Sequence, residues 1–211
     1  MSDTAWGLSL DDDYSQALTL ARRGTSLAEQ YCNSGLLAEL EEGINTLSMA
    51  NGFIPENHPM KANCLNNLGT SLQSRFRRLG DIANLNEAIT TQQQAVRITP
   101  HDHPDKPAYL SNLGNSFFLR FRRLGDISDL DEAIMTQKQA VRLTPDGHPD
   151  KPACLNNLGT PFRVRFQCLG EIADLDEAIT AQQQAVRFAP DGHPDKPLYL
   201  EGLGTSFRCR F

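Results

Sequence analysis

The apolar residues of this chain fall at helical spacing in two successive runs, and the pair of runs then repeats. The first run has residues three or four positions apart, namely Leu110, Leu113, Phe117, Phe121 and Leu124. The second run keeps this spacing and consists of Ile127, Leu130, Ala133, Ile134, Gln137, Ala140 and Val141. Because one stripe at such spacing predicts one amphipathic helix, the segment predicts a helix, a turn and a second helix.

Residues between and after the two runs are typical of helix ends. Gly125 lies between the runs, and glycine adopts the left-handed backbone that ends a helix without a steric penalty. Asp126 and Asp129 then place negative charge at the positive end of the second helix. Pro145 ends that helix, and a proline of the following unit opens the next one with Asp150 available as a cap. The sequence therefore marks both ends of each predicted helix.

The helix pair recurs with a fixed period of 45 residues, since His-Pro returns at positions 58, 103, 148 and 193. Residues 103–147 and 148–192 are identical at 30 of 45 positions. Such a period predicts a repeat array in which each unit packs on its neighbours. We divide the chain into a lead, a degenerate capping repeat, three regular repeats and a half repeat, all in one solenoid domain; these are residues 1–13, 14–57, 58–102, 103–147, 148–192 and 193–211.

The repeat resembles the tetratricopeptide repeat (TPR), whose signature puts small residues where paired helices touch. The matching positions are Leu110, Leu113, Gly114, Phe117, Ala133, Ala140 and Pro145. The period of 45 exceeds the family's 34, and Leu110 and Gln137 replace aromatic residues, so a longer first helix and longer loops are expected. HEAT and armadillo repeats have periods near 45 too, but the coincidence of small residues favours the TPR. The segment from His-Pro to Leu-Asn-Asn-Leu-Gly is also similar in sequence to the repeats of kinesin light chains. It resembles more closely the fungal arrays that often accompany a caspase-like CHAT domain.

This resemblance implies an all-α fold, a right-handed α-solenoid of stacked antiparallel helix pairs. It also implies a non-catalytic scaffold whose first helices line a concave groove for an extended peptide. Residues flanking the apolar stripe of the first helices are the candidate peptide-binding set: Asn66, Asn67, Thr70, Gln73 and Arg77; Ser111, Asn112, Asn115, Phe118 and Arg122; and Asn156, Asn157, Thr160 and Arg163. Asparagine offers a donor and an acceptor, so this ladder could hold a peptide backbone. Alternatively, one asparagine of each pair bonds the neighbouring helix.

Charge narrows the choice of partner. The formal net charge of −6 argues against nucleic acid as the main partner. Arginines nevertheless cluster at the ends of the first helices, namely Arg75, Arg77, Arg78, Arg120, Arg122 and Arg123. They either complement the negative helix end and pair with the acidic start of the second helix, or make the groove basic and selective for acidic peptides. A chaperone-tail receptor is not expected, because Asn66, Ser111 and Asn156 stand where its carboxylate clamp needs Lys or Arg.

Catalytic, metal and cofactor chemistry is not expected. The recurring histidines at 58, 103, 148 and 193 would be too far apart to share a metal, so we interpret them as residues that fix the turn before the prolines. The five cysteines include no C-x-x-C pair, and Cys64 and Cys154 take the repeat position of Tyr109 and Tyr199, which indicates packing. No membrane span or secretion signal is evident, so a reduced, cytoplasmic setting is predicted.

Two places break the repeat. Pro161 stands within a first helix where other copies have serine, so we expect a kink and weaker coupling of the repeats that follow. The final half repeat keeps the apolar stripe of a first helix without the second helix, which predicts either a truncated array or self-association through this helix. Two other functions stay open: a regulatory or sensor segment of a larger effector, such as a CHAT protease or a signalling NTPase, and a structural spacer.

Overall fold

The computed structural model describes residues 10–210, with side chains described from residue 15 onward. Helix makes up 82% of the structure, and the described residues include no strand. The helices of this range are α1 (Leu10–Ser34), α2 (Leu37–Phe53), α3 (Pro59–Leu79), α4 (Ile82–Ile98), α5 (Lys106–Leu124), α6 (Ile127–Leu143), α7 (Lys151–Leu169), α8 (Ile172–Phe188) and α9 (Lys196–Arg208). The predicted all-α class, built from consecutive packed helix pairs, is confirmed.

The chain divides into two compact units, Met1–Thr99 and Pro100–Phe211. In the first unit α1 packs on α2, α3 packs on α4, and α2 contacts α3. In the second unit α5 packs on α6 and α7 on α8, while contacts of α6 with α7 and of α8 with α9 join successive pairs. The first helices of successive repeats are also neighbours within a unit, since α1 touches α3, α5 touches α7 and α7 touches α9. Each unit therefore presents adjacent first helices.

The helix ends follow from the residues that the sequence places there. The first helices of the regular repeats end on residues with φ of 76° to 78°, namely Gly80, Gly125 and Gly170. Only glycine takes this left-handed backbone without strain, so the predicted helix break at Gly125 is confirmed. One residue later the Asp126 carboxylate accepts the backbone N–H of Ser128 at 3.0 Å, which caps α6. The same bond from Ala83 to Asp81 caps α4.

The apolar stripes form the contact faces between helices. The leucines of the second helices, Leu85, Leu130 and Leu175, occupy one repeat position and are completely or almost completely buried. On the first helices of the second unit, Phe117 and Phe162 are buried as well. Burying such a side chain stabilises the fold by about 1.5 to 3 kcal/mol relative to leaving it exposed. The helical spacing of the sequence thus becomes the core that holds each pair together.

A lysine near the start of the first helix ties that helix to the one before it. Lys151 is buried, and its Nζ donates to the carbonyls of Val141 at 3.0 Å and Thr144 at 2.8 Å, at the C-terminal end of α6. Asp146 lies 3.0 Å from the same ammonium group. Lys61 makes the equivalent contacts at the end of α2. The ammonium supplies donors to carbonyls that have no helical partner, a role that the sequence pattern alone does not reveal.

Pro161 does not end its helix, because α7 runs unbroken from Lys151 to Leu169. The proline is buried and has no N–H to donate to the carbonyl of Asn157, four residues earlier. The helices on both sides of this site belong to the same compact unit, and the kink and the weaker coupling stay predictions. The backbone hydrogen bond that the proline removes is therefore lost within the second compact unit.

The last described helix leaves apolar side chains exposed. In α9, Leu200 is 50% exposed and Phe207 is 37% exposed, whereas their repeat equivalents Leu155 and Phe162 are each 2% exposed. The equivalents are covered by the second helix of their own repeat. Phe211, which belongs to the same predicted stripe, lies outside the described residues.

The start of the chain is described only from Leu10. Residues 10–13 of the predicted lead form the first turn of α1, and residues 1–9 lie outside the described range. Within that range, no helix combines the length and the apolar character needed to cross a bilayer.

Candidate functional site

The predicted peptide-binding residues lie on the adjacent first helices, but they differ in exposure. Half-buried positions are Asn67, Asn112, Asn115, Phe118, Asn156, Asn157, Thr160 and Arg163, and exposed ones are Thr70, Arg77 and Arg122. The remaining three, Asn66, Gln73 and Ser111, are buried. A buried side chain offers a ligand little surface, so the first two groups are the ones placed to contact a partner.

Two of the asparagines use their amide groups to join successive first helices. Asn67 on α3 donates from Nδ2 to Thr25 Oγ1 on α1 at 3.0 Å and to Asn63 Oδ1 at 3.2 Å. Asn157 on α7 donates from Nδ2 to Ser111 Oγ on α5 at 3.2 Å. These bonds correspond to the structural alternative for the ladder, in which one asparagine of each pair bonds a neighbouring helix. Asn67 has therefore already used both amide hydrogens, whereas Asn157 retains an N–H and its carbonyl oxygen.

A small cleft opens between α5 and α7 among these residues. Its volume is about 110 Å³, and its lining consists of Gly114, Asn115, Phe118, Gln137, Asn157, Thr160 and Pro161. Four of the predicted residues thus come together in one place. No charged side chain lines the cleft, so its chemistry is that of neutral amides, one hydroxyl and two ring faces.

The arginines at the ends of the first helices divide into two groups. Arg120 donates from Nε and Nη2 to the buried Asp129 carboxylate near the start of α6, at distances down to 2.6 Å. This hydrogen bonding raises the pKa of Arg120. Arg165 makes the equivalent bonds to Asp174, and its Nη1 lies 2.6 Å from Asp131 on α6. These arginines therefore pair with the acidic start of the second helices, one of the two alternatives left open by the sequence.

Arg75, at the equivalent position of α3, bonds Asn84 on α4 and Glu41 on α2, and the remaining four arginines of the predicted cluster stay on the surface. Arg77, Arg78, Arg122 and Arg123 are exposed in the last turns of α3 and α5. Within the described residues no carboxylate lies in ion-pair distance of these four guanidinium groups. In the last turn of α7 the equivalent positions hold Gln167 and Cys168, and the turn contains no basic residue. Among the first helices of the three regular repeats, exposed basic residues in the last turn are thus found on α3 and α5 and not on α7.

A glutamine on the second helix of each regular repeat packs directly beneath the glycine of the first helix. A Cβ atom added at Gly114 would lie 2.8 Å from Gln137 Nε2 and 2.9 Å from its Cδ, so only glycine fits there. Gln137 donates from Nε2 to the Ser111 carbonyl and to Asn115 Oδ1, both at 3.0 Å. Its side chain therefore crosses the helix pair and reaches the cleft from below. The recurrence of glutamine at 92, 137 and 182 inside an apolar stripe was the sequence signal for this residue.

The recurring histidines act in the loops. In all four copies the imidazole Nδ1 accepts the backbone N–H two residues later; the acceptors are His58, His103, His148 and His193, at distances of 3.1 to 3.2 Å. This arrangement confirms the interpretation that they fix the turn before the first helix. The described residues contain no group of three or more His, Cys, Asp or Glu side chains that could hold a metal ion.

A larger cleft of about 550 Å³ lies among the loops that precede α5 and α7. Its lining includes the histidines 101, 103 and 148 and the acidic residues Asp102, Asp105 and Asp150, together with prolines, Leu143 and Cys154. None of the predicted peptide-binding residues lies there. Its apolar walls belong mostly to the loop that joins each repeat to the next.

The variable Tyr or Cys position of the first helix is a packing site. Cys64, Tyr109, Cys154 and Tyr199 are all buried. Burial raises the pKa of the Cys64 thiol to about 11, so this thiol is protonated near neutral pH. Because the thiolate is the reactive form, Cys64 is a structural residue rather than a nucleophile.

Comparison with known proteins places this architecture among TPR-like structures. No family model matches the chain, and no curated sequence matches it. A Podospora anserina structure described as a kinesin light chain with nearly identical TPR-like repeats has a TM-score of 0.68 and 17% identity, over 90% of this chain and 88% of that one. BtubC (BKLC) of P. vanneervenii has a TM-score of 0.61 and 14% identity, over 99% and 85%. A TPR protein of Thermus thermophilus has a TM-score of 0.52 and 17% identity, over 92% and 99%. The predicted TPR-like repeat fold is therefore confirmed.

Proposed function

We propose that this chain is a non-catalytic interaction scaffold that binds an extended, acidic peptide along its first helices. TPR-like arrays use the surface formed by successive repeats to bind protein partners. In the second unit that surface is formed by α5, α7 and α9, and in the first unit by α1 and α3. The observation that carries the proposal is the pair α5 and α7, where Asn115, Phe118, Asn157 and Thr160 line one cleft beside exposed arginines.

The half-buried asparagines supply the contacts to a peptide backbone. Asn156 is half-buried on α7, and the described residues offer its side-chain amide no hydrogen-bond partner, so both its donor and its acceptor are available. Asn115 accepts from Gln137 but retains its own N–H groups. An extended peptide has one donor and one acceptor in each residue, which matches this alternation of amide groups. Backbone contacts of this kind give affinity with little selection of peptide side chains.

Charge supplies the selectivity in this proposal. Arg122 and Arg123 are exposed at the end of α5, and their guanidinium groups have no carboxylate partner in the described part of the chain. A carboxylate of a bound peptide would therefore gain an ion pair that replaces no internal one. Because these charges are exposed, we expect the gain to fall with increasing salt.

The test starts from peptides selected on the full chain by phage display, synthesised with a fluorescent label and measured by anisotropy. We expect selected sequences to be enriched in Asp and Glu. Arg122→Glu should weaken their binding by about three- to tenfold at low salt. Arg142→Glu is the matched control, since Arg142 is exposed in the last turn of the second helix α6. Equal effects of the two variants, or selected peptides without acidic bias, would contradict the proposed acidic specificity.

The asparagine contacts are tested separately. Asn156→Ala should weaken the selected peptides without lowering the stability of the fold, because this amide makes no internal hydrogen bond in the described structure. Asn157→Ala removes the bond to Ser111 Oγ and should also lower the urea midpoint. If Asn156→Ala leaves every selected peptide unchanged, the asparagines are not part of the binding surface.

A second proposal concerns α9, whose exposed Leu200 and Phe207 favour self-association with another copy of the chain. The equivalent Leu155 and Phe162 are buried by a second helix, so the apolar face of α9 has the shape of a helix-packing surface. Light scattering across a concentration series should show a dimer that Leu200→Glu abolishes. A monomer at every concentration would remove this proposal and leave peptide binding untouched.

A further inference from the structure

The cleft between α5 and α7 contains a buried acceptor that lacks a hydrogen-bond partner. Gln137 is 1% exposed, and within the described structure its Oε1 atom has no partner. The orientation of the amide is fixed, because the Ser111 carbonyl can only accept and therefore faces Nε2. A buried acceptor without a partner is uncommon in folded proteins, since it loses its water without gaining a bond.

In the next repeat the equivalent oxygen does have a donor, and the amide atom without a partner in the described structure is the nitrogen instead. Gln182 is the equivalent of Gln137, and its Oε1 accepts a hydrogen bond from Ser206 Oγ on α9 at 2.6 Å. Ser206 is fully buried, so this bond is an internal link between successive repeats. The residue that corresponds to Ser206 in α7 is Pro161, which has neither a hydroxyl nor an N–H. The substitution of serine by proline thus removes the natural donor to Gln137.

The same substitution lies beside an open space. Pro161 and Gln137 both line the 110 Å³ cleft, together with the ring of Phe118 and the amide of Asn157. This volume exceeds what one water molecule needs, so a small chemical group fits. The available polar atoms are the acceptor Gln137 Oε1, the carbonyl oxygen of Asn157 and the N–H groups of Asn115.

We propose that this cleft is a subsite for a small neutral side chain that both donates and accepts hydrogen bonds, the primary amide of Asn or Gln. Its N–H donates to Gln137 Oε1, its carbonyl accepts from Asn115, and its aliphatic part lies against Phe118 and Pro161. A charged group is disfavoured, because no carboxylate or basic side chain lines the cleft and an unpaired charge loses its hydration there. That the amide comes from a bound peptide rests on the proposed function. The binding of a primary amide in the cleft does not depend on it.

The chemistry is tested with acetamide as the probe, followed through the side-chain amide signals of Gln137 and Asn115 by nuclear magnetic resonance on the full chain. We expect acetamide to shift these signals in a saturable manner. Acetone, which accepts but cannot donate, should shift them on the order of tenfold more weakly. Pro161→Ser should abolish the acetamide shift and raise the urea midpoint, because the hydroxyl restores the bond that Ser206 makes to Gln182. Equal shifts with both probes, or none, would show that the cleft holds water only and would overturn the subsite.

Peptide-binding measurements on variants distinguish failure of the subsite from failure of the proposed scaffold function. If the subsite is used, selected peptides should carry Asn or Gln at one recurring position, and Pro161→Ser should weaken them on the order of tenfold while Arg142→Glu does not. Should Arg122→Glu reduce peptide binding while Pro161→Ser and acetamide have no effect, the scaffold function stands and the subsite is wrong. If acetamide binds at Gln137 but no peptide is selected, the subsite stands and the peptide function is wrong.

Discussion

The glycine above each buried glutamine offers the sharpest test of how the repeats are packed. In the second unit Gly114→Ala places a methyl group 2.8 to 2.9 Å from three atoms of Gln137. Gly204 has the same repeat position in α9, and a Cβ there would meet nothing within 4 Å. The same substitution at one repeat position should therefore have opposite effects in the two helices.

The magnitudes follow from three contributions. Replacing a helical glycine with alanine stabilises the helix by about 1 kcal/mol. At Gly114, leaving the glutamine in place costs about 1 to 3 kcal/mol of overpacking. Moving it costs a similar amount, because the Ser111 carbonyl and Asn115 Oδ1 lose their donor. We therefore expect Gly114→Ala to destabilise the chain by up to about 2 kcal/mol and Gly204→Ala to stabilise it by up to about 1 kcal/mol.

Urea unfolding followed by circular dichroism measures both variants. A double-mutant cycle then identifies the cause, since Gln137→Ala removes the atoms that the new methyl group would overlap. In the Gln137→Ala background, Gly114→Ala should cost nothing or stabilise. The reasoning is refuted if Gly114→Ala costs the same in both backgrounds, because the penalty would then come from the helix itself and not from the packed glutamine.

Three further predictions concern other parts of the structure. Lys151→Met should destabilise the chain by about 1 to 3 kcal/mol, because two carbonyls at the end of α6 lose their donor. Within the described residues the Lys196 ammonium pairs with the exposed Asp191 alone, so Lys196→Met should change the urea stability by less than about 0.5 kcal/mol. Thiol titration at neutral pH should modify the exposed Cys32 and Cys168 first and reach Cys64 and Cys154 only on unfolding; fast reaction of Cys64 would contradict its burial and its raised pKa. The hydrogen bonds from Ser128 lower the pKa of Asp126 below its usual value of 3.8, so its contribution is present above that pH and is lost as the pH falls through the lower folded value. Asp126→Asn should retain the cap and reduce the acid-side loss of stability, and an unchanged pH profile would count against this assignment.

The fold was readable from the sequence because each signal was repeated. The helical spacing of the apolar residues, the glycines at 80, 125 and 170 and the capping aspartates each occur in several copies, and they indicate the same helix pair every time. The loop histidines were likewise interpretable, since a row at one residue per repeat cannot converge on a metal. Interactions between residues that are close in the sequence could thus be predicted from the residue types alone.

The candidate site was less predictable, because its determinants are contacts between helices that are distant in sequence. The pattern placed Asn66, Gln73 and Ser111 beside the apolar stripe, and only packing shows that they are buried. Arg120 and Arg122 look alike in the sequence, yet one reaches Asp129 and the other remains exposed. The two residues lie about 200° apart around the helix, and only the packing of α6 against α5 shows which face meets Asp129.

Equivalent positions in the repeats are occupied by different residues, and the consequence is clearest at the position of Gln137. The position of Gln137 is occupied by Leu47 in the first repeat, where an apolar side chain needs no donor and is fully buried beneath Gly24. It is occupied by Gln182 in the last pair, where Ser206 supplies the donor. At Gln137 the residue in the corresponding place is Pro161, which cannot donate a hydrogen bond. In the described structure the oxygen without a partner at Gln137 thus coincides with the proline, whereas Gln182, which has the serine, keeps its nitrogen without a partner.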